Sequence, residues 1–159
     1  MSKESLFNIL NNHFDFDGLR VLDLFSGTGN ISYEFASRGA GQIVSVDADF
    51  GCVKFIKQTA AEFDFPITAI KSSVFPFLEK ASGEYDIIFA DPPYDMAQKD
   101  FEKFINLVFE KNLLAEEGMM VIEHSKYTLM EALPNYSFQK NYGASRFTFF
   151  EFASEDDQA

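Results

Sequence analysis

Short apolar runs alternate with segments of helical spacing along most of this chain, and polar residues close the runs. Val21-Leu22-Asp23-Leu24-Phe25, Ile43-Val44-Ser45-Val46, Pro66 to Ile70, Tyr85 to Ala90 and Met119-Met120-Val121-Ile122 are short and largely apolar on both faces. That pattern suits parallel strands covered on both sides. Between them, Ile31 to Ser37, Asp49 to Phe63, Val74 to Lys80 and Asp100 to Glu110 read as helices, with Val53, Ile56 and Ala60 on one face of the second. Pro76 is tolerated because it falls in a first turn. Ser2 to His13 precedes them as a helix with Leu6, Ile9, Leu10 and Phe14 at helical spacing. A short helix is expected over Leu129 to Leu133. Ser137 to Tyr142 and Arg146 to Phe152 then alternate around Gly143 as an antiparallel pair. The sum is an α/β chain with a mostly parallel seven-stranded sheet, a C-terminal antiparallel hairpin and helices on both faces. Such sheets bind ligands beyond the carboxyl ends of their strands. Asp23, Asp47, Ser73, Asp91 and Glu123 all fall at or near those ends.

With 159 residues the chain makes one domain, expected over 1–153, followed by an acidic disordered tail over 154–159. Apolar residues form 47% of it, with 20 Phe read mainly as core. The net charge of −12 is the reverse of the usual nucleic-acid footprint, and removing Glu155, Asp156 and Asp157 still leaves −9. A nucleic-acid substrate then requires a local basic patch or a structured target. The N-terminus lacks the layout of a secretory signal, and no run approaches a membrane span. The lone Cys52 reads as a small core residue on a helix and is compatible with a reducing cytosol. A cytoplasmic location is therefore expected. No cluster has metal-ligand spacing, and no serine stands in a nucleophile elbow.

Gly27 and Gly29 make a G-x-G turn between a strand and a helix, where glycine admits positive φ and close ligand approach. A dinucleotide fingerprint would place a third glycine at position 32, but Ser32 stands there. This weakens a pyrophosphate reading; a plain tight turn is the alternative. Asp47 lies close to the distance at which an acid meets ribose hydroxyls in nucleotide-binding units, or else caps the helix near Asp49. Asp23, an acid within an apolar strand, needs a partner. It could hold the amides of the glycine loop or a ligand ammonium, or be purely structural. Asp91-Pro92-Pro93-Tyr94 places a carboxylate, donor-free prolines and an aromatic ring at a strand end. Acceptors and a stacking ring suit a planar exocyclic amine, although a simple Pro-Pro turn is the bland reading. With the glycine loop and Asp47, the motif points to an S-adenosylmethionine (AdoMet)-dependent amino-group methyltransferase. His124 reads as a substrate-side contact or a structural residue.

Lys3 to Leu10, Val21 to Gly29, Asp91 to Tyr94, Glu123-His124-Ser125, and Tyr142-Gly143 followed by Arg146 to Phe150 together resemble the RsmD family of bacterial 16S rRNA (guanine-N2)-methyltransferases. The resemblance runs in order from about residue 3 to 152. It implies a Rossmann-like AdoMet-dependent methyltransferase acting on the N2 amine of a guanine within the small ribosomal subunit or an assembly intermediate. The cofactor would lie against Asp23, Phe25, Ser26, Gly27, Gly29, Asp47, Ala48 and Ser73. Asp91, Pro92, Pro93 and Tyr94 would hold an extruded guanine, with Glu123 and His124 on the substrate side. Ser73 stands where that family usually carries an Asp near the adenine. The family also usually begins with a basic hairpin ahead of the first helix, whereas this sequence starts almost inside that helix. Other amino methyltransferases, acting on DNA bases or a protein glutamine, share the acceptor geometry. An inactive AdoMet-binding assembly module is the rival of another class.

Overall fold

Residues 2–153 are described in a computed structural model; the expected tail at 154–159 lies outside them. Strand β1 (Arg20–Leu24) runs parallel to β2 (Gln42–Asp47) on one side and β4 (Tyr85–Ala90) on the other. Outward from β2 lies β3 (Ile67–Lys71), and outward from β4 lies β5 (Leu114–Ser125), both parallel. The last two strands are antiparallel: β7 (Ser145–Phe150) pairs with β5, and β6 (Tyr136–Tyr142) forms the edge. The sheet order is therefore β3-β2-β1-β4-β5-β7-β6, with its switch point between β1 and β4. This is a Rossmann-like fold with a C-terminal antiparallel hairpin.

Alternation along the strands divides the core between the two faces. Leu22, Leu24, Ile88, Ala90, Met120 and Ile122 join Phe101, Phe104 and Val108 of α5 (Gln98–Glu110) and Leu78 of α4 (Val74–Lys80). On the other face Val21, Ile43, Ile87, Phe89 and Val121 meet α1 (Ser2–Asn11) and Phe35 of α2 (Asn30–Ser37). From α1, Leu6, Phe7 and Leu10 are fully buried, while Ile9 and Phe14 are only partly so. The stripe is thus rotated toward Phe7, whose ring meets Phe35 edge-on at 4.8 Å. Truncating either ring should cost ~3–5 kcal/mol. Val53, Ile56 and Ala60 of α3 (Phe50–Phe63) are buried as the spacing predicts.

Several expectations need correction. Residues 129–133 form turns and no helix. Five residues ahead of Pro134 cannot repay helix nucleation, and Gln98 grips the Leu129 backbone instead, donating to its carbonyl at 2.6 Å and accepting its amide at 3.0 Å. β5 begins at Leu114, well before Met119. Its polar early residues sit beside a register shift near Tyr85, and at Gly118 a Cβ would lie 2.7 Å from the Asp86 carbonyl. β7 stops at Phe150 rather than Phe152, because the Glu151 amide turns to the Asn135 carbonyl. Cys52 is only half-buried, one residue off the α3 core stripe. Nine of the phenylalanines lie in the buried core, but Phe50, Phe55 and Phe63 stand exposed on α3.

Candidate active site

β1 ends at Leu24, and Phe25 then takes φ 57, a left-handed conformation rare for so large a residue. It reverses the chain into the glycine loop and packs its ring edge-on against Phe104. The loop is pinned to β2: the Ser26 amide and hydroxyl donate to the Val46 carbonyl at 3.0 and 3.2 Å. Gly29 closes the turn at φ 93, where a Cβ would lie 2.8 Å from the Tyr33 ring and 2.9 Å from Ile56. Glycine is required there on both counts.

Asp47 ends β2. One of its carboxylate oxygens accepts the Gly27 amide at 2.8 Å and the other accepts the Asp49 amide at 2.9 Å. Capping of α3 falls to Asp49, which accepts the Cys52 amide at 2.8 Å. Asp47 thus retains unused lone pairs on both oxygens.

Asp23 has another role. Its side chain is 1% exposed and accepts the Ser32 hydroxyl at 2.6 Å; that hydroxyl lies 2.5 Å from the hydroxyl of Ser45. Ser45 is the direct register partner of Asp23 on β2. A carboxyl and two hydroxyls therefore fill the α2–sheet contact where a third glycine would sit in a dinucleotide site. Burial pushes the Asp23 carboxyl up to about 7; the Ser32 hydroxyl opposes the rise, and the charges of Asp91 and Asp47 add to it. The glycine-loop amide goes to Asp47, not to Asp23.

A cavity of about 450 Å³ opens at these strand ends, lined by Phe25, Asp47, Ala48, Ser72, Ser73, Val74, Phe75, Asp91 and Pro93. It brings together six residues singled out in the sequence. Ser26, Gly27, Gly29 and Asp23 are not among its lining residues; the loop meets the cavity through Phe25 and through the Gly27 amide held by Asp47. Ser72, Val74 and Phe75 were missed. Their only sequence signal is position, directly after an apolar run.

Among these lining residues are two carboxylates and no lysine or arginine. The space suits a ligand with a positive centre and a flat apolar group, and it repels a pyrophosphate. AdoMet fits that description: Asp47 has the acceptors for vicinal hydroxyls, Phe25, Val74 and Phe75 offer apolar surface, and the acids favour a sulfonium and an ammonium.

Asp91 and Glu123 follow adjacent register partners, Ala90 and Ile122. Asp91 is exposed to solvent at the cleft mouth, and desolvation by the surrounding walls still raises its carboxyl. Glu123 is pushed up to about 7, first by burial and then by the charge of Asp91. Pro92 is buried while Tyr94 is 74% exposed. His124 is 6% exposed; its Nδ1 bonds the Ser125 carbonyl at 2.7 Å and its Nε2 the Thr148 hydroxyl at 2.6 Å. With both nitrogens engaged internally and the imidazolium disfavoured by burial, His124 has no nitrogen free for a substrate. Among the described residues no group of side chains could hold a metal ion, and no helix is long and apolar enough to cross a membrane.

This sheet order, with the glycine loop and the acidic strand ends, defines a Rossmann-like methyltransferase fold. The solved structure titled "Putative methyltransferase yhhF from Escherichia coli" shares it with a TM-score of 0.83, covering 93% of this chain and 82% of that one at 24% identity. The family described as "Conserved hypothetical protein 95" matches residues 1–151, and the chain belongs to it, the RsmD family. Among curated relatives, "Putative rRNA methyltransferase YlbH" of Bacillus subtilis is 31% identical over 130 residues, 78% of this chain and 68% of that protein. "Putative protein N5-glutamine methyltransferase" of Methanocaldococcus jannaschii is 31% identical over 130 residues, 80% of this chain and 61% of that protein. "Ribosomal RNA small subunit methyltransferase D" of Buchnera aphidicola is 28% identical over 122 residues, 76% of this chain and 61% of that protein. The matched stretch thus spans about two thirds of these relatives or less.

Proposed function

We propose that this chain transfers a methyl group from AdoMet to the exocyclic N2 amine of a guanine in small-subunit rRNA, acting in the cytoplasm on the subunit or an assembly intermediate. The observation that carries this reading is the Asp91-Pro92-Pro93-Tyr94 turn, which sets a carboxylate against the cavity and an exposed ring beyond it. The family and the two relatives named for rRNA support the substrate class.

When bound, AdoMet supplies an electrophilic methyl group on a sulfonium. Asp47 would hold its ribose, with Phe25, Ala48, Ser73, Val74 and Phe75 around the base and the glycine loop against the methionine moiety. Asp91 and the Pro92 carbonyl would accept hydrogen bonds from N2 and so aim its lone pair along the transfer axis. Tyr94 would stack on the extruded ring, a contact worth ~1–3 kcal/mol. Methyl transfer between held partners is governed mainly by positioning. The chain's part would be to hold N2 in line with the methyl carbon, where the C–N bond formed would replace the C–S bond broken and the thioether would be the leaving group. The proton then shed by N2 passes to Asp91, with Glu123 beside it as a second acceptor.

The glutamine methyltransferase relative supports a second reading, because a side-chain amide presents the same planar NH₂. Labelled methyl transfer to unmodified small ribosomal subunits, followed by nucleoside mass spectrometry, separates them. N2-methylguanosine is the expected product. Label recovered in protein as N5-methylglutamine would overturn the guanine assignment.

A further inference from the structure

We propose that Tyr127, on the turn after β5, is a second stacking platform that receives a nucleotide flanking the target base, with Lys126 beside it for the phosphate. This rests on the RNA reading above. Of the six tyrosines, the two most exposed are Tyr94 at 74% and Tyr127 at 78%. Both follow the carboxyl ends of neighbouring strands, β4 and β5, so both rings stand on the same rim. Among the described residues no aromatic ring pairs with that of Tyr127, and the Lys126 ammonium lies 5.4 Å from its centroid.

The turn that carries it is fixed from three sides. The Tyr127 amide donates to the Ser125 hydroxyl at 3.3 Å and the Thr128 amide to the Ser125 carbonyl at 3.2 Å. Gln98, four residues beyond Tyr94, clamps the Leu129 backbone through both ends of its amide. Met130 anchors the far side in the core at 0% exposure. A rigid turn displaying an unpacked ring loses little freedom on binding. The cavity floor is acidic, so a polyanion is excluded there and must be held at the edge. A cation alongside a flat ring gives one nucleotide a charge partner for its phosphate and a surface for its base.

The chain contains no tryptophan, so Tyr127→Trp places a single reporter on the platform. Titrating that variant with a short guanine-containing single-stranded RNA should quench the indole saturably. Lys126→Ala in the same background should raise the midpoint. A tryptophan at Phe63, at the far end of α3, should remain unquenched. An unquenched Tyr127→Trp indole, or equal quenching at Phe63→Trp, overturns the platform. Independently, Tyr127→Ala should raise KM for small subunits by roughly five- to a hundredfold with kcat and AdoMet affinity held, and Tyr127→Phe should restore it. An unchanged KM also overturns the platform while leaving the guanine reading intact. Failure of the wild-type chain to label small subunits overturns that reading instead, and the fluorescence result still decides the platform.

Discussion

The carboxylate of Asp47 accepts the amide of Gly27 at 2.8 Å, so the end of β2 holds the glycine loop that follows β1. The same carboxylate lines the cavity. Removing it should therefore injure the proposed cofactor site twice, through loss of the proposed ribose acceptor and through a loosened loop. Asp47→Ala is expected to weaken AdoMet binding more than tenfold (above ~1.4 kcal/mol) by calorimetry. Unchanged affinity would remove Asp47 from the site.

Asp91 lines the same cavity, and the proposed function sets it against the methyl acceptor. Asp91→Ala should abolish methyl transfer and leave AdoMet affinity nearly intact. Retained turnover would refute its role toward the amine. In Asp91→Asn the charge that helps raise Glu123 is gone, so the midpoint of Glu123, followed by carbon NMR, should fall below about 7. It should remain above the usual glutamate value, since burial is the larger cause. No movement would mean the two carboxyls do not sense each other.

Asp23 makes stability depend on pH in an uncommon direction for a carboxyl. Its native pKa of about 7 lies above the unfolded value of 3.8. Between those values the native state holds a proton that the unfolded chain has released. Its contribution is therefore intact at low pH and is lost as pH rises toward 7, by an amount on the order of 4 kcal/mol. Asp23→Asn removes the titrating group and keeps an acceptor for Ser32. The melting temperature of this variant relative to wild type should rise from pH 4 to pH 8. A constant difference would show that Asp23 does not hold its proton.

Gly29 tests the loop without touching a charge. Gly29→Ala places a Cβ against Tyr33 and Ile56 at a φ that alanine avoids. It should lower stability by more than ~1 kcal/mol and weaken AdoMet binding. A variant with wild-type melting and affinity would mean that the loop relaxes freely.

The strands and most helices were legible because burial on both sheet faces writes continuous apolar runs, and the acids closing those runs mark the ligand edge. Contacts between distant segments left fainter traces. Ser32 was visible only as the missing third glycine; its bond to Asp23 depends on how α2 settles on the sheet. Asp47 and Asp49 compete for one cap in the sequence, and only the backbone path gives the cap to Asp49. Ser72, Val74 and Phe75 enter the cavity because α4 starts directly after β3. The turn at 129–133 followed from Gln98, thirty-one residues away from Leu129, rather than from local propensity.

The antiparallel course of β7 has a geometric consequence. Because Ser145 pairs with Ser125 and Tyr142 pairs with Ser145, the connection through Gly143 and Ala144 emerges at the same edge as the carboxyl ends of the parallel strands. Insertions in that connection would leave the sheet register untouched and would project from the same rim as the cavity, on its β5 side. A scaffold of this kind can reshape the rim beside its cavity by altering one hairpin tip, without redesigning the floor on which the chemistry rests.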